Sequence, residues 1–220
     1  MRHRRRTWGA GMPLIALYRC MGSRQGGGGL GGLCRDSSTP AGNNRWACHS
    51  LLLNLTQMEI RKFEESDWPQ VWPIAEQIIR KGDTFCYDPL QTEAQAYDLW
   101  VVPPPGHVAV AVEDQRVLGT SNMYANRPGP GSHIASGNFM VAPEARGRGV
   151  GQALGEYLLD WARSSGFAGV QFNAVAASNA PAIRLYERLG FALIGTVPGA
   201  FRHPVLGPVG LHVMYHDLGT

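Results

Sequence analysis

The feature that most constrains the fold of this chain is the stretch from Asn138 to Leu154, NFMVAPEARGRGVGQAL. Its apolar run, Phe139 to Val141, predicts a buried strand that ends before Pro143. A glycine-rich turn follows, Arg146 to Gly151, and then residues with the spacing of a helix. The first N–H groups of a helix lack internal partners and carry partial positive charge, and glycines let a ligand approach the backbone closely. The stretch therefore predicts a site for an anion such as a diphosphate.

The spacing of this glycine turn excludes two common nucleotide motifs. A dinucleotide fingerprint counted from Gly147 needs a glycine where the chain has Gln152, and a P-loop needs a lysine that the stretch lacks. The pattern present is R-x-x-G-x-G, directly after a strand that ends in Val-Ala-Pro. It resembles the acetyl-CoA signature of the GNAT (Gcn5-related) N-acetyltransferases. A plain glycine-rich connection between a strand and a helix is the alternative.

Charge divides the chain into two unlike segments. Residues 1–57 hold eight arginines and one acid, a net charge of +7, whereas residues 58–220 hold twelve basic and sixteen acidic residues, a net charge of −4. No basic stripe interleaved with aromatic residues follows residue 58, so we expect no nucleic-acid partner. No apolar run approaches the ~20 residues of a membrane span, so we expect no membrane partner.

Residues 1–52 are predicted to lie outside the folded domain, which we place at residues 53–220. They are glycine-rich and have too little periodic apolar content to bury a core. A start codon assigned too early, a disordered extension and an arginine-rich targeting peptide are three interpretations of this segment. Its cysteines, Cys20, Cys34 and Cys48, form no C-x-x-C pair, so we predict no metal site. The domain holds a single cysteine, Cys86, which excludes a disulfide framework and fits a reducing, cytoplasmic location.

From Met58 onward the apolar periodicity predicts a strand, two helices, three strands, a helix, a strand, a helix and two strands. Helix boundaries are predicted from capping residues and glycines. The signals are Ser66 and Asp67 before the first helix, Thr92 with Gln95 before the second, Asn179 before the last and Gly190 after it. Pro73 predicts a kink or break in the first helix. The last two strands are predicted at 191–195 and 211–215.

This succession, together with the block Asn179 to Phe191 (NAPAIRLYERLGF), is similar to the GNAT family over about Glu59 to Asp217. The resemblance implies an α/β fold with a mixed, mostly antiparallel sheet and helices on both faces. It also implies that two parallel strands splay apart to admit acetyl-CoA as co-substrate, without a metal. The partner is then a small-molecule amine, and whether the chain forms a homodimer is left open.

Site residues follow from the same resemblance. Acetyl-CoA binding is assigned to Met140, Val141, Arg146, Gly147, Arg148, Gly149, Val150, Gly151 and Asn179. Tyr186 is the implied catalytic residue, a proton donor to the leaving thiolate, and its alternative role as a core aromatic is compatible with this one. The base that takes the amine proton is left open between Asp88, His203 and a water molecule, since both side chains also fit ordinary surface loops.

The acceptor is predicted from asparagines. Asn138 and Asn173 lie within strands, where a buried amide either holds the sheet together or binds a ligand. With Asn179 they resemble the asparagines that line the acceptor pocket of fungal acetyltransferases acting on proline analogues such as azetidine-2-carboxylate. An amino acid or a toxic analogue is therefore the implied acceptor. A protein N-terminal acetyltransferase and a non-catalytic CoA-binding sensor are the alternative functions.

Overall fold

The computed structural model describes residues 58–219. The predictions for residues 1–52, including those for Cys20, Cys34 and Cys48, lie outside the described residues. The described part contains the strands and α-helices in the predicted order. In chain order they are β1 (Glu59–Lys62), α1 (Trp68–Lys81), α2 (Glu93–Trp100), β2 (His107–Glu113), β3 (Arg116–Ala125), β4 (Ile134–Val141), α3 (Val150–Ser164), β5 (Gly169–Ala176), α4 (Ala180–Arg188), β6 (Ala192–His203) and β7 (Gly207–Asp217).

The strands form one mixed sheet in the order β1-β2-β3-β4-β5-β7-β6. Every neighbouring pair is antiparallel except β4 and β5, which run parallel. A parallel pair needs a crossover connection, and α3 supplies it. The predicted α/β fold class, with a mixed and mostly antiparallel sheet, is confirmed.

β4 and β5 pair along only a short part of their length. Ile134 pairs with Gly169 and Ala135 with Val170, and no later residues of these two strands pair. Each strand has eight residues, so most of their facing edges are unpaired. We call this opening the gap; it lies between residues 137–141 of β4 and residues 171–176 of β5.

The helices cover opposite faces of the sheet. On one face, the indole N–H of Trp100 in α2 donates to Thr120 Oγ1 over 3.0 Å, and Asn122 Nδ2 donates to the Trp100 carbonyl over 3.2 Å. On the other face, α3 lies so close to β4 that a Cβ on Gly137 would stand 2.5 Å from Leu158 Cδ1. Because side chains alternate along a strand, the even-numbered residues of β3 and β4 face α2 and the odd-numbered residues face α3.

The start of α1 differs from its prediction in two respects. The helix runs unbroken through Pro73, so the predicted break is wrong. Pro73 is the sixth residue of α1, so its missing N–H removes the single hydrogen bond to the carbonyl four residues earlier. Asp67 occupies the N-cap position, but its side chain makes no capping bond. Its carboxylate instead accepts two bonds of 2.7 Å from Arg61 and one of 2.8 Å from the N–H of Glu64.

The other predicted helix ends are confirmed. Thr92 N–H donates to Gln95 Oε1 over 2.8 Å, and Gln95 N–H returns a bond of 3.3 Å to Thr92 Oγ1. Asn179 Oδ1 accepts from the N–H of Ala182 over 3.3 Å at the start of α4. Gly190 adopts a left-handed φ of 86° just after that helix, where only glycine is free of strain.

The last two strands are longer than predicted. β6 continues past Val197, because Pro198 and Gly199 lie in an irregularity of the ladder between Val197 and Phe201 that does not end the strand. His203 is consequently the last residue of β6, at the turn into β7, and not a residue of a long loop.

We expect Gly137→Ala to lower the free energy of unfolding by about 1–3 kcal/mol, the usual effect of overpacking a core. The new methyl would meet Leu158 at 2.5 Å and the Asn122 carbonyl oxygen at 2.6 Å, so strand or helix must shift. Urea unfolding measures the change. Gly195→Ala is the control, because its methyl would meet nothing within 4 Å. Equal destabilisation by the two substitutions would contradict the close packing of α3 on β4.

Candidate active site

The glycine turn connects β4 to α3 and presents an open array of backbone donors. A 3₁₀ turn, Pro143–Ala145, precedes it. Gly147 and Gly149 adopt left-handed φ values of 76° and 83°, and a Cβ on either would meet nothing within 4 Å. Glycine is therefore required by the backbone conformation, not by lack of room. Within the described residues, no protein acceptor bonds the backbone N–H groups from Gly147 to Gln152. Such an array at a helix N-terminus suits a diphosphate.

The two arginines of the glycine turn have different surroundings. Arg146 is exposed and forms no ion pair with any acid in residues 58–219. Arg148 Nη2 lies 2.5 Å from Glu113 Oε2 at the end of β2. The sequence predicts both side chains as charges beside the anion, but the charge of Arg148 is already balanced by Glu113.

Main-chain groups of β4 line the gap. Ala142 N–H donates to the Leu118 carbonyl over 2.9 Å. In an antiparallel ladder every second residue points its main-chain N–H and C=O groups at the same neighbouring strand. The main-chain groups of Met140, which lies opposite Thr120, therefore also face β3. The main-chain groups of Phe139 and Val141 alternate with it and point into the gap. Of the two residues predicted at the strand end, Val141 thus offers its N–H to a ligand, whereas Met140 is a buried residue paired with β3.

Tyr186 of α4 lies where the two walls of the gap meet. Its ring centroid is 6.0 Å from that of Phe139 in β4 and 4.5 Å from that of Phe172 in β5, with Phe191 at 6.0 Å. The ring is half-buried, and its hydroxyl bonds no group among the described residues. Burial raises the pKa of Tyr186 above its ordinary value, so the hydroxyl keeps its proton at neutral pH. The side chain makes the predicted core aromatic contacts, and its role as a proton donor stays a prediction.

The asparagines form two amide clusters on the face of the sheet opposite α3. Asn138 Nδ2 donates to Asn122 Oδ1 over 2.9 Å and to the hydroxyl of Tyr124 over 3.2 Å. Asn173 Nδ2 donates to Asn126 Oδ1 over 2.6 Å. Asn138 belongs to β4 and Asn173 to β5, so one cluster stands on each wall of the gap.

Asn173 has a second amide neighbour, because its Oδ1 accepts from Gln171 Nε2 over 2.8 Å. It lies at an irregularity between Phe172 and Val175, where β5 carries an extra residue relative to β7. Asn179, by contrast, uses its side chain to cap α4 and is not part of either amide cluster. The structure therefore brings together two of the three predicted asparagines at the gap.

Some residues of this face were missed by the sequence reasoning. Asn122 and Tyr124 alternate along β3 and face the same side as Asn138, and Asn126 directly follows the strand. Tyr87, in the connection between α1 and α2, lies near Tyr124, and burial together with that phenol raises the pKa of Tyr87 to about 12. The period-two spacing of the β3 side chains was the available signal. The contact of Tyr87 had no signal in the sequence, because it depends on how a long loop folds.

The two side chains predicted as candidate bases satisfy local turns. Asp88 Oδ1 accepts from the N–H of Leu90 over 2.9 Å. His203 Nδ1 accepts from the N–H groups of Val205 and Leu206 at 3.1 and 3.2 Å. Neither bonds to Asn138, Asn173 or Tyr186 in the part of the chain that the structure describes. Across residues 58–219 no group of three His, Cys, Asp or Glu side chains is arranged to hold a metal ion. None of the described helices is long and apolar enough to cross a membrane.

Residues 58–191 match the family model described as "Acetyltransferase (GNAT) family". Over 139 residues the chain is 34% identical to N-acetyltransferase aca1 of Schizosaccharomyces pombe, which covers 56% of this chain and 66% of that protein. The chain therefore spans slightly less than two thirds of this relative, and it covers 14% and 29% of two other curated relatives.

Solved structures agree with this match. A GCN5-related N-acetyltransferase from Kribbella flavida is 51% identical and superposes with a TM-score of 0.72, covering 73% of this chain and 98% of its own. A phosphinothricin acetyltransferase from Sinorhizobium meliloti in complex with AcCoA has a TM-score of 0.67 over 74% of this chain and 89% of its own. Its identity of 21% supports the fold alone.

We expect Gly149→Asp to abolish binding of acetyl-CoA, because it places a side chain and a negative charge in the array of N–H donors. Isothermal titration calorimetry measures the affinity. Gly207→Asp is the matched control, because Gly207 has a similar left-handed φ of 73° and equally open surroundings in the β6–β7 turn. Normal affinity in folded Gly149→Asp would contradict the assignment of the glycine turn to the diphosphate.

Proposed function

The chain belongs to the GNAT family of acetyltransferases, and we propose that it transfers the acetyl group of acetyl-CoA to the amine of a small molecule. The observation that carries this proposal is the gap between β4 and β5, which ends at the unpaired N–H groups of the glycine turn. One opening thus joins donors for a diphosphate to main-chain groups suited to an extended pantetheine arm. The cytoplasmic location remains a prediction of the sequence, and whether the chain forms a homodimer stays open.

The residues present fit the donor molecule. Acetyl-CoA, when bound, supplies the thioester whose acetyl group is transferred. The N–H groups from Gly147 to Gln152 would bind its diphosphate, and Arg146 would add charge beside it. The N–H of Val141, directed into the gap, would bond the thioester oxygen. A backbone donor already fixed by a strand needs no reorientation as negative charge develops on that oxygen.

Tyr186 is proposed as the proton donor to the leaving thiolate. Its ring touches both walls of the gap through Phe139 and Phe172, and its hydroxyl bonds no group among residues 58–219. A free hydroxyl at this position is available to a sulfur atom in the gap. The raised pKa keeps the hydroxyl protonated, as a general acid requires.

The acceptor is proposed to bind between the amide clusters of Asn138 and Asn173. The side chains that bond Asn138 and Asn173 directly are uncharged, but one charged side chain adjoins them, because Arg127 Nη1 donates to Asn126 Oδ1 over 3.3 Å. Amide and hydroxyl groups, which both donate and accept hydrogen bonds, suit a small acceptor with polar groups of its own, such as an amino acid or an analogue.

The proton of the amine is proposed to leave through water. The candidate bases Asp88 and His203 accept hydrogen bonds from backbone N–H groups of their own turns. The lone pairs used in these bonds are not available to take a proton. The amide clusters supply no carboxylate either. A chain of water molecules beside the amide clusters therefore remains as the proton acceptor.

Steady-state acetylation of amino acids, polyamines and short peptides, each with acetyl-CoA, tests the proposed function. We expect turnover with small amines. Turnover with peptides alone would favour a protein N-terminal acetyltransferase. Binding of acetyl-CoA without turnover of any acceptor would favour a sensor and overturn the proposal.

Tyr186→Phe should lower kcat by about a hundredfold, within the usual contribution of a general acid. Because burial raises the pKa of Tyr186 above its ordinary value, the wild-type rate should decline only above about pH 10, as the hydroxyl loses its proton. Tyr157→Phe is the control, since it removes a hydroxyl that bonds His107 Nε2 over 2.9 Å, outside the gap. An unchanged kcat in Tyr186→Phe under chemistry-limited conditions would remove Tyr186 from this role.

Asn173→Ala should raise KM for the acceptor by about threefold to tenfold, as loss of one hydrogen bond does, with the Kd of acetyl-CoA unchanged. Asn173→Asp keeps the shape of the side chain and adds a charge. A further rise of KM in that variant indicates a carboxylate of the acceptor at this position, and a fall indicates its ammonium group. An acceptor KM equal to that of the wild type in Asn173→Ala would exclude Asn173 from the acceptor site.

A further inference from the structure

The turn between β2 and β3 is strained and lies against the glycine turn. Its central residues, Asp114 and Gln115, both adopt left-handed φ values, 49° and 61°. Two successive left-handed residues make the tight hairpin turn that favours asparagine, aspartate or glycine; Asp114 fits this preference, whereas Gln115 does not. Residues hold such conformations only where their surroundings fix them. The contacts around this hairpin turn therefore keep its backbone in the left-handed conformation.

Two crossed ion pairs join this hairpin to the residues around the glycine turn. Glu113 of the hairpin pairs with Arg148 over 2.5 Å, and Arg116 of the hairpin pairs with Glu144 over 2.8 Å. Each side thus contributes one acid and one base. Glu144 precedes the glycine turn and Arg148 lies inside it. The two ion pairs therefore fix the glycine turn both at its start and at its middle.

The hairpin itself is fixed to α1 by one side chain. Gln70 Nε2 donates to the Gln115 carbonyl over 3.2 Å, and Gln70 Oε1 accepts from the N–H of Val117 over 3.1 Å. The amide therefore bonds the backbone on both sides of Arg116. Through this contact the hairpin is anchored to the rigid part of the fold before it meets the glycine turn.

We propose that residues 113–116 form a clamp that holds the glycine turn in its anion-binding conformation before acetyl-CoA arrives. Glu113 and Arg116 are then positioning residues, and Arg148 acts through Glu113 and not as a ligand of the diphosphate. This inference rests on the proposed function, because it concerns how that same donor site is built.

The need for such a clamp follows from the composition of the turn. Glycine loses more conformational freedom on ordering than any other residue, and Gly147 and Gly149 flank Arg148. The N–H groups from Gly147 to Gln152 also lack internal hydrogen bonds that would hold them in place. A site ordered in advance binds more tightly, since less freedom is lost when the ligand arrives. The clamp supplies that order from outside the turn.

Charge reversal distinguishes a positioning role for Arg148 from direct contact with the diphosphate. Calorimetry with acetyl-CoA compares wild type with Glu113→Gln, Arg148→Gln, the double variant of these two, and the exchanged pair Glu113→Arg with Arg148→Glu. We expect each single variant to bind about threefold to fivefold more weakly, the range for one partly exposed ion pair. The double variant should be no weaker than either single variant.

The exchanged pair should recover wild-type affinity within about twofold, because the new carboxylate in the glycine turn is neutralised by its partner, unlike the unpaired one of Gly149→Asp. If Arg148 binds the diphosphate directly, this pair will be weaker than Arg148→Gln, and the proposal is overturned. KM for acetyl-CoA should follow the calorimetric affinity while kcat at saturation stays unchanged. A fall in kcat with no change in affinity would also overturn it.

A second exchange and a control complete the test. Arg116→Glu with Glu144→Arg should likewise restore what Arg116→Gln loses. Arg163→Gln removes a surface ion pair at the other end of α3, where Arg163, as exposed as Arg148, lies 3.2 Å from Asp160, and should leave the affinity unchanged. Wild-type protein that binds no acetyl-CoA would refute the proposed function itself. Wild-type binding that all clamp variants retain would refute the clamp alone.

Discussion

The short parallel pairing of β4 with β5 is the constraint on which the rest of the site depends. After Ala135 and Val170 the two strands separate, and the main-chain groups of Phe139 and Val141 are left without a strand partner. Unpaired strand edges are costly inside a protein, so a fold keeps such an opening only where a ligand or water fills it. The same separation sets the glycine turn at one end of the opening and α4, with Tyr186, beside it.

Local patterns predicted much of this fold, and they were wrong where a tertiary contact overrode them. The caps at Thr92 and Asn179 depend on neighbouring residues alone, so the sequence was sufficient. Asp67 has the same capping chemistry, but Arg61, six residues earlier, takes its carboxylate instead. Similarly, Pro198 does not end β6, because β7 pairs on both sides of the irregularity.

For the site, the sequence predicted groups that act through the backbone better than groups that act through side chains. Glycine positions report backbone conformation directly, and Gly147 and Gly149 have the left-handed φ values that this implies. The sequence could not predict that Arg148 meets Glu113, which lies 35 residues earlier. Nor could it assign Met140 and Val141 to opposite edges of β4, since that depends on the register with β3.

The acetyl-CoA site and the acceptor site differ in how easily a mutation can change them. In the proposed site, recognition of acetyl-CoA uses backbone N–H groups, which every residue except proline possesses, so most substitutions around the glycine turn leave these donors in place. The proposed recognition of the acceptor uses amide side chains from different parts of the sheet, as in the contact between Asn126 and Asn173. A single amino-acid substitution can change such a contact without disturbing the acetyl-CoA site. A lineage with this architecture can therefore drift from one acceptor to another while every intermediate remains an acetyl-CoA enzyme.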